Sequence, residues 1–227
     1  MKLKKKINFK SLVGIGVMIT LVGSIIYVLI RIFGASWVGE ETARSDYILM
    51  LFQCLLGVVV MLLPGFLEKR LSIDVPDYME VLYFVFLYCA IYLGEVHSFY
   101  YLIPNWDTIL HAFSGAMLGA LGYSVVSIFN DSAKVKVSLN PLFVALFAFC
   151  FAVSIGALWE IYEYVGDGVL GLNMQKFRDA SGTLLIGRDA LTDTMDDIIV
   201  DACSAFTGVA GGYVLSKIRE KRKKQGQ

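Results

Sequence analysis

A histidine and several carboxylates occur close to the ends of strongly apolar segments, where ionisable side chains are costly and need a reason. Asp107 and His111 are four residues apart, so a helix would place both on one face. Glu160 and Glu163 also share a face, and Asp167 follows one turn later if that helix continues. Imidazole and carboxylate groups together are a ligand set for a divalent metal ion. The pattern therefore predicts one polar site built from several helices.

The last apolar segment adds further acids at helical spacing. Asp193, Asp197 and Asp201 recur every four residues, and Asp201 lies deepest in the apolar run. We predict that a divalent metal ion of unknown identity is held by Asp107, His111, Glu160, Asp197 and Asp201. The predicted catalytic acid and base are Glu160 and Glu163. The remaining members of the predicted polar cluster are Glu95, Asp193, Asp196 and Asp167.

Purely structural roles would also account for the same residues. Asp107 and Asp193 stand near the starts of their helices and are suited to capping them. A hydrogen-bonded network that only holds helices together would account for His111, Glu160 and Asp201 as well as an active site does. The residue pattern leaves both possibilities open.

The composition indicates where these residues lie. Apolar residues make up 57% of the 227-residue chain, 18% of residues are charged, and the mean hydropathy is +0.65. A soluble chain of this size would not bury so much apolar surface, so lipid must cover part of it. We predict an all-α fold, a polytopic transmembrane bundle that forms a single domain over 1–227. Segments of about 20 apolar residues occur at 12–33, 47–67, 78–97, 106–129, 141–164 and 194–218.

The basic residues predict the orientation of the six spans. Of 20 Lys and Arg residues, fifteen lie in the two tails and in the loops after the second and fourth spans. Because cytoplasmic segments are enriched in Lys and Arg, both termini are predicted to be cytoplasmic, in the inner membrane of a bacterium. The loop 165–193 and the polar cluster then face outward. The net charge is zero and there is no domain-sized basic surface, so nucleic acid is not an expected partner.

Glycines at helical spacing predict close approach of two spans. Gly115, Gly119 and Gly122 share one face of the fourth span, and Gly208 and Gly212 share a face of the sixth. Small residues at this spacing let helix backbones come together. We expect packing within the bundle from these faces, and the oligomeric state stays open.

Four motifs resemble an uncharacterised bacterial inner-membrane family, typified by YjdF, whose domain has no assigned activity. They are the stretches 106–111 with the Ser-Gly at 114–115, 156–164, 173–175 and 191–197, and the similarity runs over about 80–213. The layout is more loosely similar to VanZ-like proteins, which are linked to antibiotic resistance at the cell envelope. The resemblance implies a shared pattern that contains Asp107, His111, Glu160, Glu163, Asp193 and Asp197.

Three functions fit these observations. The first is an outward-facing site, enzymatic or binding, that holds a divalent cation and acts on a lipid or envelope-precursor headgroup. The second is a small proton- or cation-coupled transporter, which would need carboxylates in the inner halves of the spans, where Glu80 stands almost alone. The third is a structural or regulatory membrane protein whose polar cluster only fixes helix packing.

Overall fold

The computed structural model describes residues 8–34, 41–71, 75–130, 139–179 and 181–225, and these are almost entirely helical. One isolated antiparallel bridge joins Arg178 and Leu184 within the described residues. The α-helices are α1 (Phe9–Gly34), α2 (Glu41–Met61), α3 (Leu63–Phe66), α4 (Asp77–Leu87), α5 (Phe99–Leu102), α6 (Trp106–Asn130), α7 (Pro141–Leu170) and α8 (Asp189–Gln225). Two π-helical segments, Leu67–Leu71 and Tyr88–Val96, directly continue α3 and α4.

Six helical stretches in the described part of the chain are long and apolar enough to cross a bilayer. They are Phe9–Gly34, Asp46–Arg70, Asp77–Val96, Trp106–Ser127, Pro141–Leu170 and Asp189–Ile218. Each coincides with one predicted span. The all-α fold and six apolar spans are therefore confirmed, whereas the cytoplasmic placement of the termini stays a prediction.

The loop between α7 and α8, which we name the outer loop for its predicted placement, is shorter than predicted. It covers 171–188 and not 165–193, because α7 continues to Leu170 and α8 begins at Asp189. The extra turn of α7 buries Asp167 on the same face as Glu160 and Glu163. Gly171 ends the helix in the left-handed region, with φ 69°, and its N–H donates to the Asp167 carbonyl at 3.0 Å.

The start of α7 follows from two local signals. The Asn140 side chain accepts a hydrogen bond from the Leu142 N–H at 2.8 Å, which satisfies one of the unpaired donors of the first turn. Pro141 occupies the first turn, where its missing N–H costs nothing.

The helices form two compact units. In the first unit, Met1–Trp106, a core packs α1 against α2 and α4. Its buried side chains are Val17, Leu21, Met61, Phe84 and Leu87. At one end Lys10 of α1 pairs with Asp77 at 2.7 Å and with Glu80 at 2.8 Å, which ties α1 to the first turn of α4.

The second unit, Asp107–Gln227, contains α6, α7 and α8. The predicted close packing of glycine faces is confirmed here. A Cβ at Gly119 would meet the Ala205 backbone oxygen at 2.6 Å, and one at Gly208 would collide with the Ala116 backbone. Glycine is therefore needed for α6 and α8 to approach so closely. A hydrophobic core of Tyr123, Val144, Ala148 and Val209 packs next to this contact.

Candidate functional site

His111, in the second unit, is buried among carboxylates from three helices. Its Nε2 lies 3.8 Å from Asp107 Oδ1, 3.9 Å from Glu160 Oε1 and 4.0 Å from Asp197 Oδ2. Asp107 and His111 share one face of α6, while α7 supplies Glu160 and α8 supplies Asp197. These separations are too long for hydrogen bonds, so the three oxygens surround one ring nitrogen without bonding to it.

The other ring nitrogen of His111 has a different environment. Nδ1 lies 3.2 Å from Asp201 Oδ2, at hydrogen-bonding distance, one turn of α8 deeper than Asp197. Gly156 of α7 makes room for Asp201, since a Cβ at this position would collide with Asp201 Oδ2. Gly115 of α6 makes room for the backbone of Asp201, because a Cβ at Gly115 would lie 2.8 Å from the Asp201 carbonyl oxygen. Helix packing thus holds Asp201 on one side of the imidazole.

Several buried carboxylate oxygens in this cluster accept no hydrogen bond from the described residues. They are both oxygens of Glu160, Asp197 Oδ2, Asp193 Oδ2 and Glu163 Oε2. Glu160 is 4% exposed and Asp197 is 3% exposed. The Thr194 hydroxyl lies beside Glu160, but without the geometry of a hydrogen bond. A buried charged oxygen without a partner is strongly unfavourable, so the cluster has the chemistry of a cation site.

The distances from His111 Nε2 to the carboxylate oxygens are compatible with ligands of one ion. Ligand atoms of Asp107, His111 and Asp197 all lie within 4.8 Å of one another. Two donors that each sit about 2.0–2.2 Å from one metal ion are at most about 4.4 Å apart. The Nε2 to oxygen distances of 3.8, 3.9 and 4.0 Å fall within that limit.

Lys176, on the outer loop, brings a positive charge to the edge of the cluster. Its Nζ donates to Asp107 Oδ2 at 2.6 Å and to Asp193 Oδ1 at 2.8 Å, and the side chain is 41% exposed. Burial lowers the pKa of the Lys176 amine, but the Asp107 and Asp193 carboxylates outweigh this effect and raise the pKa above its ordinary value. The ammonium is therefore fully charged at neutral pH.

Asp167 fixes the loop that carries Lys176. Its two oxygens accept hydrogen bonds from the Met174 N–H at 2.7 Å and the Gln175 N–H at 3.0 Å. The Gln175 amide donates to Thr194 Oγ1 of α8 at 2.8 Å. Lys176 itself has φ 47°, a left-handed conformation for a residue with a side chain. The predicted cluster member Asp167 thus organises the loop, and sequence reasoning missed Lys176 because only the folded loop brings it to Asp107.

The other predicted site residues lie in different surroundings. Glu163 accepts a hydrogen bond from Trp159 Nε1 at 2.9 Å through Oε1, and it is within electrostatic range of Glu160 and Asp107. Asp196 is exposed beside the buried Asp197. Glu95 belongs to the first unit, where it is half-buried in the second π-helical segment and its charge acts on the Cys54 thiol.

Asp107 lies in the first turn of α6, so its role at that helix end stays a prediction, whereas Asp193 lies too far inside α8 to cap it. No backbone N–H among the described residues donates to either carboxylate. Asp193 lies one turn inside α8, since that helix begins at Asp189. Both carboxylates form ion pairs with Lys176, and Asp107 also faces His111.

The fold and this cluster define a class: a helical membrane protein with six apolar spans and a buried group of carboxylates around one histidine. A family model covers residues 18–218, most of the chain. The protein belongs to the DUF2238 family of predicted membrane proteins.

An uncharacterized protein of Thermotoga maritima is similar to this chain. It is 28% identical over 176 residues, which is 74% of this chain and 77% of the relative. No solved structure matches the chain. The comparisons therefore agree with the prediction of a membrane protein from an uncharacterised family, and they indicate no activity.

Proposed function

We propose that the second unit binds a divalent cation through Asp107 Oδ1, His111 Nε2 and Asp197 Oδ2, with Glu160 as a fourth ligand. The proposal depends on one observation: three carboxylate oxygens, two of them from the buried Glu160 and Asp197, surround Nε2 at 3.8, 3.9 and 4.0 Å without bonding to it. Asp201 then acts as the outer group that holds the imidazole, a partner that metal-binding histidines usually have. The predicted ligand Asp201 thus takes a supporting role in the proposal.

The charge around His111 supports a cation over a network of helix-fixing hydrogen bonds. Six carboxylates meet here, from Asp107, Glu160, Glu163, Asp193, Asp197 and Asp201, and the Lys176 ammonium pairs with two of them, Asp107 and Asp193. Buried carboxylates in a packing network would be satisfied by donors. The oxygens without partners favour an ion. One imidazole with several carboxylates suits ions such as Mn²⁺, Fe²⁺ or Zn²⁺.

The ligand of this site is proposed to be an anionic headgroup, carried by a lipid or by an envelope precursor with a phosphate group. The distribution of Lys and Arg supports an outward-facing site, close to the headgroups. A bound cation and the half-exposed Lys176 would present two positive groups to phosphate oxygens. The looser similarity to VanZ-like proteins, which are linked to the cell envelope, also favours an envelope precursor as the ligand. Glu163 is the proposed general base, held by Trp159.

Substitution of the two histidines tests the cation site. The full-length protein is purified in detergent, and Mn²⁺ binding is measured by titration calorimetry, with bound metals determined by elemental analysis. His111→Ala is expected to abolish binding, because it removes the central ligand. His97→Ala, which changes the other histidine of the chain, is expected to leave the affinity unchanged. Far-UV circular dichroism checks that both variants keep their helices.

Two results would contradict the proposal. One is equal metal content in His111→Ala and the unsubstituted protein. The other is a wild-type protein that binds none of Mn²⁺, Fe²⁺ or Zn²⁺, with His111→Ala lowering only the unfolding temperature. The second result is what a packing-only role of the cluster predicts.

A further inference from the structure

A cleft of about 450 Å³ lies in the first unit. One wall is the second half of α1, and the other is the end of the second π-helical segment. The lining residues are Thr20, Gly23, Ser24, Tyr27, Tyr92, Val96 and His97. Clefts that bind small ligands have about this size.

The π-helical segment creates the second wall. In Tyr88–Val96 the backbone bonds run to the fifth residue, and the His97 N–H continues the pattern by donating to the Tyr92 carbonyl at 3.1 Å. This wider turn places Tyr92, Val96 and His97 on one face, with the Tyr92 and His97 rings edge to face at 4.6 Å. Such π-helical turns are frequent at functional sites.

Gly23 opens the first wall. A Cβ at this position would meet no atom within 4 Å, so the absent side chain leaves space and relieves no steric clash. Glycine in the middle of a helix costs about 0.5–1 kcal/mol relative to alanine. Gly16 of the same helix is equally open, and Gly23 differs from it by lining the cleft, where the missing side chain leaves space for a ligand.

The polar groups of the cleft are neutral hydrogen-bonding groups. Thr20 donates to the Val17 carbonyl and Ser24 donates to the Thr20 carbonyl, each at 2.8 Å, which leaves both hydroxyl oxygens as acceptors. Neither ring nitrogen of His97 hydrogen-bonds to another described residue, so the imidazole can hydrogen-bond to a ligand. The cleft can therefore satisfy both a hydroxyl and a carbonyl group.

The charge and the shape of the cleft limit the chemical class of its ligand. Among the described residues, no Asp, Glu, Lys or Arg lines the cleft. Arg31, one turn beyond Tyr27, is not a lining residue, and its Nε donates to the Tyr47 hydroxyl at 3.0 Å. A charged headgroup would lack a counter-ion among the lining residues and would be costly in an apolar span. The rings of Tyr27 and Tyr92 offer flat apolar surfaces that suit another ring.

We propose that this cleft binds an uncharged, membrane-soluble molecule whose headgroup is a flat ring with hydroxyl or carbonyl oxygens, the chemistry of a quinone or quinol. His97 and the Ser24 hydroxyl contact the ring oxygens, and Tyr27 and Tyr92 pack against the ring. Gly23, Tyr27 and His97 are exposed, so a ligand dissolved in the bilayer can reach them.

The test measures binding of decylubiquinone to the full-length protein in phosphatidylcholine nanodiscs by titration calorimetry. We expect saturable binding with one molecule per chain. Gly23→Leu is expected to abolish it by filling the cleft, and leucine forms helix better than glycine. Gly16→Leu is the matched control: Gly16 is also an exposed glycine of α1 with no atom near its missing Cβ, and it does not line the cleft. This variant is expected to bind like wild type.

Two further comparisons separate ring recognition from filling of an apolar space. His97→Ala should weaken decylubiquinone binding by about tenfold, the value of one hydrogen bond, and should keep the cation affinity of the other site. Decylbenzene has the same chain without ring oxygens and should bind at least about tenfold more weakly.

The proposal is wrong if wild type shows no saturable binding, if Gly23→Leu and Gly16→Leu behave alike, or if decylbenzene binds as tightly. Should Gly23→Leu not fold, His97→Ala and decylbenzene decide the outcome. None of these results bears on Mn²⁺ binding, so this cleft and the proposed cation site can fail separately.

Discussion

His111 divides its two ring nitrogens between two kinds of partner. Nδ1 lies at hydrogen-bonding distance from Asp201, and Nε2 faces Asp107, Glu160 and Asp197 at longer distances. A carboxylate at Nδ1 fixes the proton there and makes Nε2 the better metal ligand. Asp201 therefore differs from the three acids at Nε2, a difference that the regular spacing of Asp193, Asp197 and Asp201 along α8 does not reveal.

Removal of the Lys176 charge should change the two binding properties of the site in opposite directions. Lys176→Met is expected to raise the affinity for Mn²⁺ by about tenfold, because the ammonium repels a cation bound to the other oxygen of Asp107. The same variant should weaken Mn²⁺-dependent binding of glycerol 3-phosphate by about tenfold, since one positive contact to the anion is lost. Titration calorimetry measures both.

Arg178→Met serves as the control for this charge change. Arg178 belongs to the same loop, is exposed, lies over the Phe177 ring at 4.9 Å, and pairs with neither Asp107 nor Asp193. It should change neither affinity. A fall in Mn²⁺ affinity with Lys176→Met would mean that Lys176 only supports the loop, and would count against its proposed contact with the headgroup.

At the scale of the helices, small residues decide how deeply the acids are placed. Gly115 and Gly156 stand on α6 and α7 where the Asp201 turn of α8 passes between them. Larger residues there would push α8 outward and separate Asp201 from His111. The length of α7 matters too, because its last turn buries Asp167, which holds the loop of Lys176.

Gly156→Ala should therefore destabilise the protein and weaken the cation site together. Its methyl group would collide with Asp201 Oδ2, and overpacking of this kind costs about 1–3 kcal/mol. The unfolding temperature in detergent, followed by circular dichroism, should fall by several degrees, and calorimetry should show weaker Mn²⁺ binding.

Gly168→Ala provides the matched change on the same helix. No atom lies within 4 Å of a Cβ at Gly168, so this variant should be as stable as wild type or more stable by about 0.5–1 kcal/mol. Equal behaviour of the two alanine variants would show that the close contact at Gly156 does not position Asp201.

For the whole molecule, the lipid bilayer explains the large exposed apolar area. Side chains such as Ile19, Val59, Leu142 and Phe206 are more than half exposed on their helices. In water such surfaces would aggregate, whereas in lipid they need no partner. The even number of candidate spans in the described residues is consistent with the prediction that both chain ends lie on one side of the membrane.

The predicted orientation can be measured with reporter fusions. A green fluorescent protein fused to the C-terminus should be fluorescent, and alkaline phosphatase at the same point should be inactive, because the basic tail is predicted to be cytoplasmic. Alkaline phosphatase inserted after Ile186, which is 85% exposed in the outer loop, should be active. The reverse pattern would move the cation site to the cytoplasmic side and remove the reason for an outer headgroup as its ligand.

The amino-acid sequence by itself determined the helical class, the number of spans and the residues of the carboxylate cluster. These depend on local properties: apolar length, the helical repeat, and the cost of placing acids such as Glu160 and Asp197 in an apolar segment. Only the tertiary structure decided which ring nitrogen Asp201 contacts, that Lys176 reaches Asp107, and that a π-helical turn brings His97 to Gly23. Those contacts join residues far apart in the chain, and they depend on helix rotation, close backbone approach and loop geometry, which residue spacing does not encode.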